Sequence, residues 1–227
     1  MSVLIKICGL KTSAALDVAL EAGADFVGFV FFAASPRHVG VEAVRALRQR
    51  VRGRAQKVAL SVDATDDELA ASIDALKPDL LQLHGRETPE RVAAVRERFG
   101  LPVMKALPIA ERADLAAIRH YDGVADRLIF DARAEAEATR PGGLGKRFDW
   151  RLLENVQTRV PFMLSGGLDA VNVAQALRIT GAPGVDVSSG VESVTGEKDT
   201  AKIRAFIAAA RAAGSKLAAP HRAVSRA

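Results

Sequence analysis

The residues able to do chemistry in this chain are few and far apart. Cys8 is the only cysteine among 227 residues, so it can form neither an intrachain disulfide nor a multi-cysteine metal site. It is either a small buried hydrophobe or a reactive thiol. Strand alternation puts Lys6 on the same side, where an ammonium would lower the thiol's reference pKa of about 8.5. Asp131 follows Arg127-Leu128-Ile129-Phe130, and Asp186 follows Gly184-Val185. A carboxyl at the end of an apolar run can be desolvated into the range of a general acid; otherwise it is a solvated terminus or a helix cap. The long Gly-, Lys- and Arg-containing connection 132–149 after Asp131 has the length of a lid or binding loop, which favours a functional Asp131. Arg37, after Ser35-Pro36, is either an exposed arginine or a bidentate clamp for carboxylate or phosphate. His84 fits acid–base work or hydrogen-bonded positioning, with positioning preferred.

Two small-residue turns complete the set. Gly166-Gly167 and Ser188-Ser189-Gly190 let backbone N–H groups approach a ligand, with hydroxyl donors added. Each alone is only a turn; together they predict a phosphate site. His38, His120 and His221 show no metal-ligand spacing with one another, and no metal site is predicted. Gly142-Gly143-Leu144-Gly145-Lys146 has the wrong spacing for a nucleotide loop, and Arg147 stands where Ser or Thr should follow the lysine. A flexible loop over a ligand site is the better assignment.

The elements that must position these residues alternate regularly. Apolar runs fall at 3–7, 26–31, 57–62, 80–83, 102–106, 127–130, 161–164 and 184–187, separated by segments such as 69–76, 92–99, 115–118 and 203–213 with helical spacing. Thr12, Thr65, Thr88 with Pro89, and Asp169 are candidate helix caps. Continuous apolar strands between helices mean a parallel sheet buried on both faces. Eight such units predict a single-domain α/β fold, the closed (β/α)8 TIM barrel, over residues 1–214, with 215–227 a basic, disordered tail. A doubly wound open sheet would usually carry a dinucleotide fingerprint, and none is present. Barrel chemistry sits at the C-terminal ends of strands, where Cys8, Arg37, His84, Lys105, Asp131, Gly166 and Asp186 to Gly190 all fall.

Composition narrows the partners. The net charge is +5, but without Lys216, Arg222 and Arg226 of the tail the balance falls to 29 basic against 27 acidic residues. With 5% aromatic residues, a nucleic-acid surface is not expected. No apolar run is long enough for a membrane span and no export signal is read, so a cytoplasmic protein is expected.

Taken in order, Lys6-Ile7-Cys8-Gly9, Gly28-Phe29-Val30-Phe31 with Ser35-Pro36-Arg37, Gln82-Leu83-His84-Gly85, Asp131, the glycine loop with Phe148-Asp149-Trp150, Ser165-Gly166-Gly167-Leu168, and Gly184 through Glu192 resemble the phosphoribosylanthranilate isomerase family of tryptophan biosynthesis, from residue 3 to about 212. The resemblance implies an Amadori rearrangement with no redox step and no cofactor, acting on a small phosphosugar. It implies Asp131 as general acid and Cys8 as general base. It further implies Arg37 on the anthranilate carboxylate, Asp186 and His84 in positioning, and Gly166, Gly167, Ser188, Ser189 and Gly190 on the phosphate. Leu144, Ser165 and the tail depart from the family pattern, without touching acid or base. The histidine-pathway isomerase would want a carboxylate at position 8 and a second phosphate loop where Gln82-Leu83-His84-Gly85 stands. A non-catalytic sugar-phosphate barrel would have no use for Cys8, Asp131 and Arg37 together. Monomer and homodimer both remain open.

Overall fold

The computed structural model describes residues 3–134, 141–143, 145 and 147–218. Eight parallel strands close in sequence order: β1 Leu4–Cys8, β2 Phe26–Val30, β3 Gln56–Ser61, β4 Leu80–Leu83, β5 Val103–Ile109, β6 Arg127–Ala132, β7 Phe162–Leu164 and β8 Gly184–Val187. Closure is made by β1 against β8, with Lys6 opposite Asp186. The expected (β/α)8 barrel is therefore present.

Alternation along each strand sorts the side chains. Ile5, Ile7, Val27, Phe29, Leu81, Leu83, Leu128, Phe130 and Val185 face outward into the main core beneath the helices. Phe26, Val58, Leu80, Met104, Ala106, Ile129 and Met163 face inward and fill the lower barrel. Burying each large aliphatic or aromatic side chain is worth about 1.5–3 kcal/mol, so both faces of every strand favour this closed arrangement. Above the lower layer the inward positions turn polar: Lys6, Cys8, Gln82, Asp131, Ser165 and Asp186 are all buried.

Helices α1 Ser13–Glu21, α2 Val41–Val51, α3 Asp66–Leu76 and α4 Pro89–Phe99 follow the first four strands. Thr12 caps α1 and Thr88 caps α4 with Pro89 in its first turn; Thr65 and Glu68 form a reciprocal capping box on α3. The later units are less regular. After β5 come a 3-10 turn, Arg112–Ala117, and the short α5, Ile118–Tyr121. Among the described residues the sixth unit has only a 3-10 turn, Trp150–Leu153; Pro141, Gly142, Gly143 and Gly145 interrupt the chain before it. Asp169 accepts from the N–H groups of Val171 and Asn172, but α6, Val173–Thr180, begins later with Asn172 as its N-cap. Asp169 closes the preceding turn instead of capping the helix.

After β8 a hairpin forms from β9 Glu192–Val194 and β10 Glu197–Lys198, then α7 runs Thr200–Ala218. The domain boundary expected at 214 lies inside this helix, since its Ala-rich sequence continues through Ser215–Ala218 without a breaker. Of the expected tail, 215–227, residues 215–218 belong to α7 and residues 219–227 lie outside the described residues, as do Leu144 and Lys146. Among the described residues no helix is long and apolar enough to cross a membrane.

Candidate active site

The C-terminal mouth of the barrel holds a cleft enclosing about 770 Å³, part of it open to solvent. Cys8, Arg37, His84, Asp131, Gly166, Gly167, Asp186, Ser188 and Ser189 all line it. Residues from six different strands or the loops after them thus meet because parallel closure sends every strand's last residue to the same rim. Gly190 is the exception: it lies in the turn Ser189–Val191 and faces the Leu168 carbonyl, where a Cβ would collide. It lets the β8 loop press against the β7 loop and does not itself line the cleft.

Asp131 is buried near the end of β6. Its Oδ1 accepts from the Ala132 N–H at 2.9 Å, and its Oδ2 lies 3.2 Å from His84 Nε2. On the other side of the imidazole, Gln82 Nε2 lies 3.1 Å from His84 Nδ1. The imidazole can donate to or accept from the Asp131 carboxyl according to its tautomer, so the contact serves the acid in either protonation state. Gln82 and His84 therefore fix where the carboxyl points. Gly142 closes over the pair: a Cβ there would lie 2.6 Å from His84 Nε2 and 2.7 Å from Asp131 Oδ2.

Cys8 sits on β1, separated from β6 by only β7 and β8 around the closed ring. Gly28 makes room for it, since a Cβ at that position would lie 3.1 Å from Cys8 Sγ and 3.2 Å from Lys6 Cε. The structure corrects the expected effect of Lys6. Burial pushes the Cys8 thiol above its ordinary value, and Lys6 does not reverse this. The reason is the Lys6–Asp186 ion pair, 2.8 Å long and fully buried at the lysine, which commits the ammonium and adds a carboxylate beside the sulfur. Burial alone would weaken the Lys6 ammonium, but Asp186 and Cys8 outweigh it and hold the group up at about 12. Ser165 Oγ donates to the other Asp186 oxygen at 3.3 Å.

Arg37 is buried, and its Nε and Nη2 donate to the two oxygens of Glu192 at 2.7 and 2.8 Å. The bidentate grip read from the sequence exists, but its partner is Glu192 of the chain itself. Nη2 also donates to the Gly143 carbonyl at 3.1 Å. Although burial resists its charge, Arg37 and Lys198 hold the Glu192 carboxyl down at about 2.

On the β7 part of the rim, Gly166 and Gly167 adopt φ of +87° and +64°, conformations that a Cβ would strain. Asn172 Nδ2 donates to the Gly167 carbonyl at 2.9 Å. Ser188 Oγ donates to the Cys8 carbonyl at 3.2 Å, and Lys198 Nζ donates to the Ser188 carbonyl at 2.8 Å.

Lys105 belongs to a different network. On β5 it pairs with Leu83 and Leu128, which places it among the outward residues. Its Nζ donates to Gly85 O and Glu87 Oε2, each at 2.7 Å. Glu87 in turn accepts from the N–H groups of Asp63 and Gly85. Lys105 thus supports the loop that carries His84 and does not line the cleft.

Sequence reasoning missed Glu192, Lys198, Gln82 and Glu87 as parts of the site and its support. The cue for the first two was local: a Thr195-Gly196 turn between short charged, alternating segments marks a hairpin on the rim. No cluster of three or more His, Cys, Asp or Glu among the described residues is arranged to hold a metal.

Comparison with known proteins gives a consistent result. The family model described as N-(5'phosphoribosyl)anthranilate (PRA) isomerase matches residues 5–209. The N-(5'-phosphoribosyl)anthranilate isomerase of Nitrobacter winogradskyi is 60% identical over 217 residues, covering 96% of each chain. The crystal structure of phosphoribosyl anthranilate isomerase from Thermotoga maritima superposes with a TM-score of 0.83 at 31% identity, over 92% of this chain and 99% of that one. A phosphoribosyl anthranilate isomerase in complex with reduced 1-(o-carboxyphenylamino)-1-deoxyribulose 5-phosphate gives 0.81 at 29% identity, over the same shares. A match of this extent, on a barrel whose rim gathers a thiol, a carboxyl and a glycine–serine corner, places the chain in the N-(5'-phosphoribosyl)anthranilate isomerase family.

Proposed function

We propose that the chain catalyses the Amadori rearrangement of N-(5-phosphoribosyl)anthranilate to 1-(2-carboxyphenylamino)-1-deoxyribulose 5-phosphate, with Asp131 as general acid and Cys8 as general base. The observation that carries this is the placement of the two groups in one cleft, from β6 and β1, with an arginine and a glycine–serine corner on the same rim. The substrate has a carboxylate at one end and a phosphate at the other, with the reacting carbons between them.

The chemistry follows from that layout. Asp131, oriented by His84, gives its proton to the ribose ring oxygen, and the C1–O bond opens to a cationic Schiff base. That cation acidifies the proton on C2. Cys8, as thiolate, removes it to give an enolamine, which tautomerises to the ketone. Burial favours the thiol at rest; the adjacent iminium charge favours the thiolate, the thiol's own proton passing to solvent through the open cleft before the C2 proton is taken. Arg37 holds the anthranilate carboxylate. Backbone N–H groups at Gly166 and Gly167, with Ser188 and Ser189, hold the phosphate. Asp186 acts through Lys6 on the environment of Cys8.

The test is direct. Phosphoribosylanthranilate is generated in situ from anthranilate and phosphoribosyl pyrophosphate, and its fluorescence decay is followed on adding protein. Decay no faster than the uncatalysed background would remove the assignment.

A further inference from the structure

The group that grips Arg37 is not a substrate but Glu192, 155 residues away in sequence. Arg37 lines the cleft, whereas Glu192 and Lys198 lie behind it. Glu192 is held from several sides. Lys198 Nζ donates to its Oε1 at 2.8 Å, the Gly196 N–H donates to its Oε2 at 3.0 Å, and Lys202 Nζ donates to its backbone carbonyl at 2.7 Å. The hairpin turn that supplies Gly196 presses on the segment before Arg37: a Cβ at Gly196 would lie 2.7 Å from the Pro36 carbonyl oxygen. Lys198 continues the chain of contacts to Ser188 Oγ at 3.1 Å, at the phosphate end.

A buried guanidinium has five donors, and a free fork would accept a carboxylate or a phosphate in several poses. Here Nε and Nη2 are taken. Nη1 makes no hydrogen bond among the described residues and faces Gly143, which lines the cleft. The charges matter as much as the geometry. Arg37 and Glu192 alone would cancel, while Lys198, itself almost wholly buried, leaves the cluster with one net positive charge.

We propose that Glu192 is the positioning residue for the substrate's carboxylate, acting through Arg37. It turns the guanidinium so that a single edge meets the ligand, and Lys198 beneath it keeps that end of the site cationic. This inference rests on the isomerase assignment above and adds to it the residue that fixes aglycone recognition.

The experiment compares two ligands by calorimetry on the full chain. One is reduced 1-(o-carboxyphenylamino)-1-deoxyribulose 5-phosphate; the other is the same compound built on aniline, without the carboxylate. Hydrogen bonds to charged groups set the scale. Glu192→Gln is expected to weaken the carboxylated ligand about ten- to hundredfold and the aniline compound less than about threefold. KM for the natural substrate rises by the same factor as the carboxylated ligand's Kd, while kcat changes little. Glu192→Asp keeps the anion between Arg37 and Lys198 but cannot span the fork, so it preserves the fold and shows the same selectivity. Equal weakening of both ligands, or no weakening of either, overturns the inference. A wild-type chain that binds neither ligand and does not turn over the substrate overturns the isomerase assignment, and this inference with it.

Discussion

Replacing Gly142 by alanine tests whether the loop over the cleft is part of the acid's geometry. The backbone of Gly142 is outside the left-handed region, so alanine brings no conformational strain and the effect is purely one of contact. The new methyl would start 2.6 Å from His84 Nε2 and 2.7 Å from Asp131 Oδ2. Relief to ordinary van der Waals distance requires a displacement of about 0.8 Å. Because His84 and Asp131 are held from behind by Gln82 and the Ala132 N–H, either the loop retreats or the carboxyl turns. A misplacement of about 1 Å at a reacting group costs roughly a hundredfold, or about 2.7 kcal/mol of barrier. The variant is therefore expected to lose about two orders of magnitude in kcat, with KM and melting temperature nearly unchanged. Gly143→Ala provides the contrast. Its Cβ would lie 2.5 Å from Arg37 Nη1, and its φ of +69° adds backbone strain, so KM should rise about tenfold or more and kcat should fall less. Steady-state fluorescence assays over a range of substrate concentrations, with thermal melts, separate the two patterns. A Gly142→Ala enzyme with kcat within about threefold of wild type would refute the contact between loop and acid during turnover.

Asp131→Asn and Cys8→Ala should each lower kcat by several orders of magnitude, while Arg37→Ala should chiefly raise KM; single-turnover traces check whether chemistry is the step lost. Burial holds the Cys8 thiol above its ordinary value, and kcat/KM reports the free enzyme's base, so the pH profile should still climb at about pH 9; a plateau below about pH 8 would contradict the buried thiol. Glu192 is depressed from 4.5 to about 2, so its stabilisation is complete above pH 4.5 and disappears as pH falls toward 2. Urea midpoints across that window should drop more steeply for wild type than for Glu192→Gln. Lys105→Met leaves the Glu87 carboxylate buried without its cation and should cost about 3–5 kcal/mol in urea unfolding, with much of that recovered by adding Glu87→Gln.

The barrel was legible because its strands are buried on both faces, which writes them as continuous apolar runs that need no partner to be recognised. Cys8, His84, Asp131 and Asp186 were legible for the same reason: each is a polar residue at the end of such a run. What escaped depends on distant parts of the chain. Arg37 looks like a free clamp until β9 brings Glu192 to it, and Lys6 looks like an activator of Cys8 until β8 delivers Asp186. In the sequence Lys105 reads as a strand-end residue like Cys8 and Asp131, but it is the third residue of β5, and its register against Leu83 and Leu128 shows that it points away from the cleft. The sixth unit, which shows no α-helix among the described residues, and the late start of α6 were local misreadings, in which glycine, proline and Asn172 overrode an expected repeat.

Barrel closure also imposes an order in time on the thiol. Cys8 leaves the ribosome well before Asp186, which engages its neighbour Lys6 and lies 180 residues downstream of that lysine. At about 5–20 residues per second, translation alone separates the two by roughly 10–40 s. Throughout that interval the sulfur is an ordinary accessible thiol, and it enters its buried pocket only when the last strand docks beside the first. An alkylating reagent present during synthesis should therefore mark Cys8 heavily on nascent chains and sparingly on finished ones, making the single cysteine a natural reporter of when the ring closes.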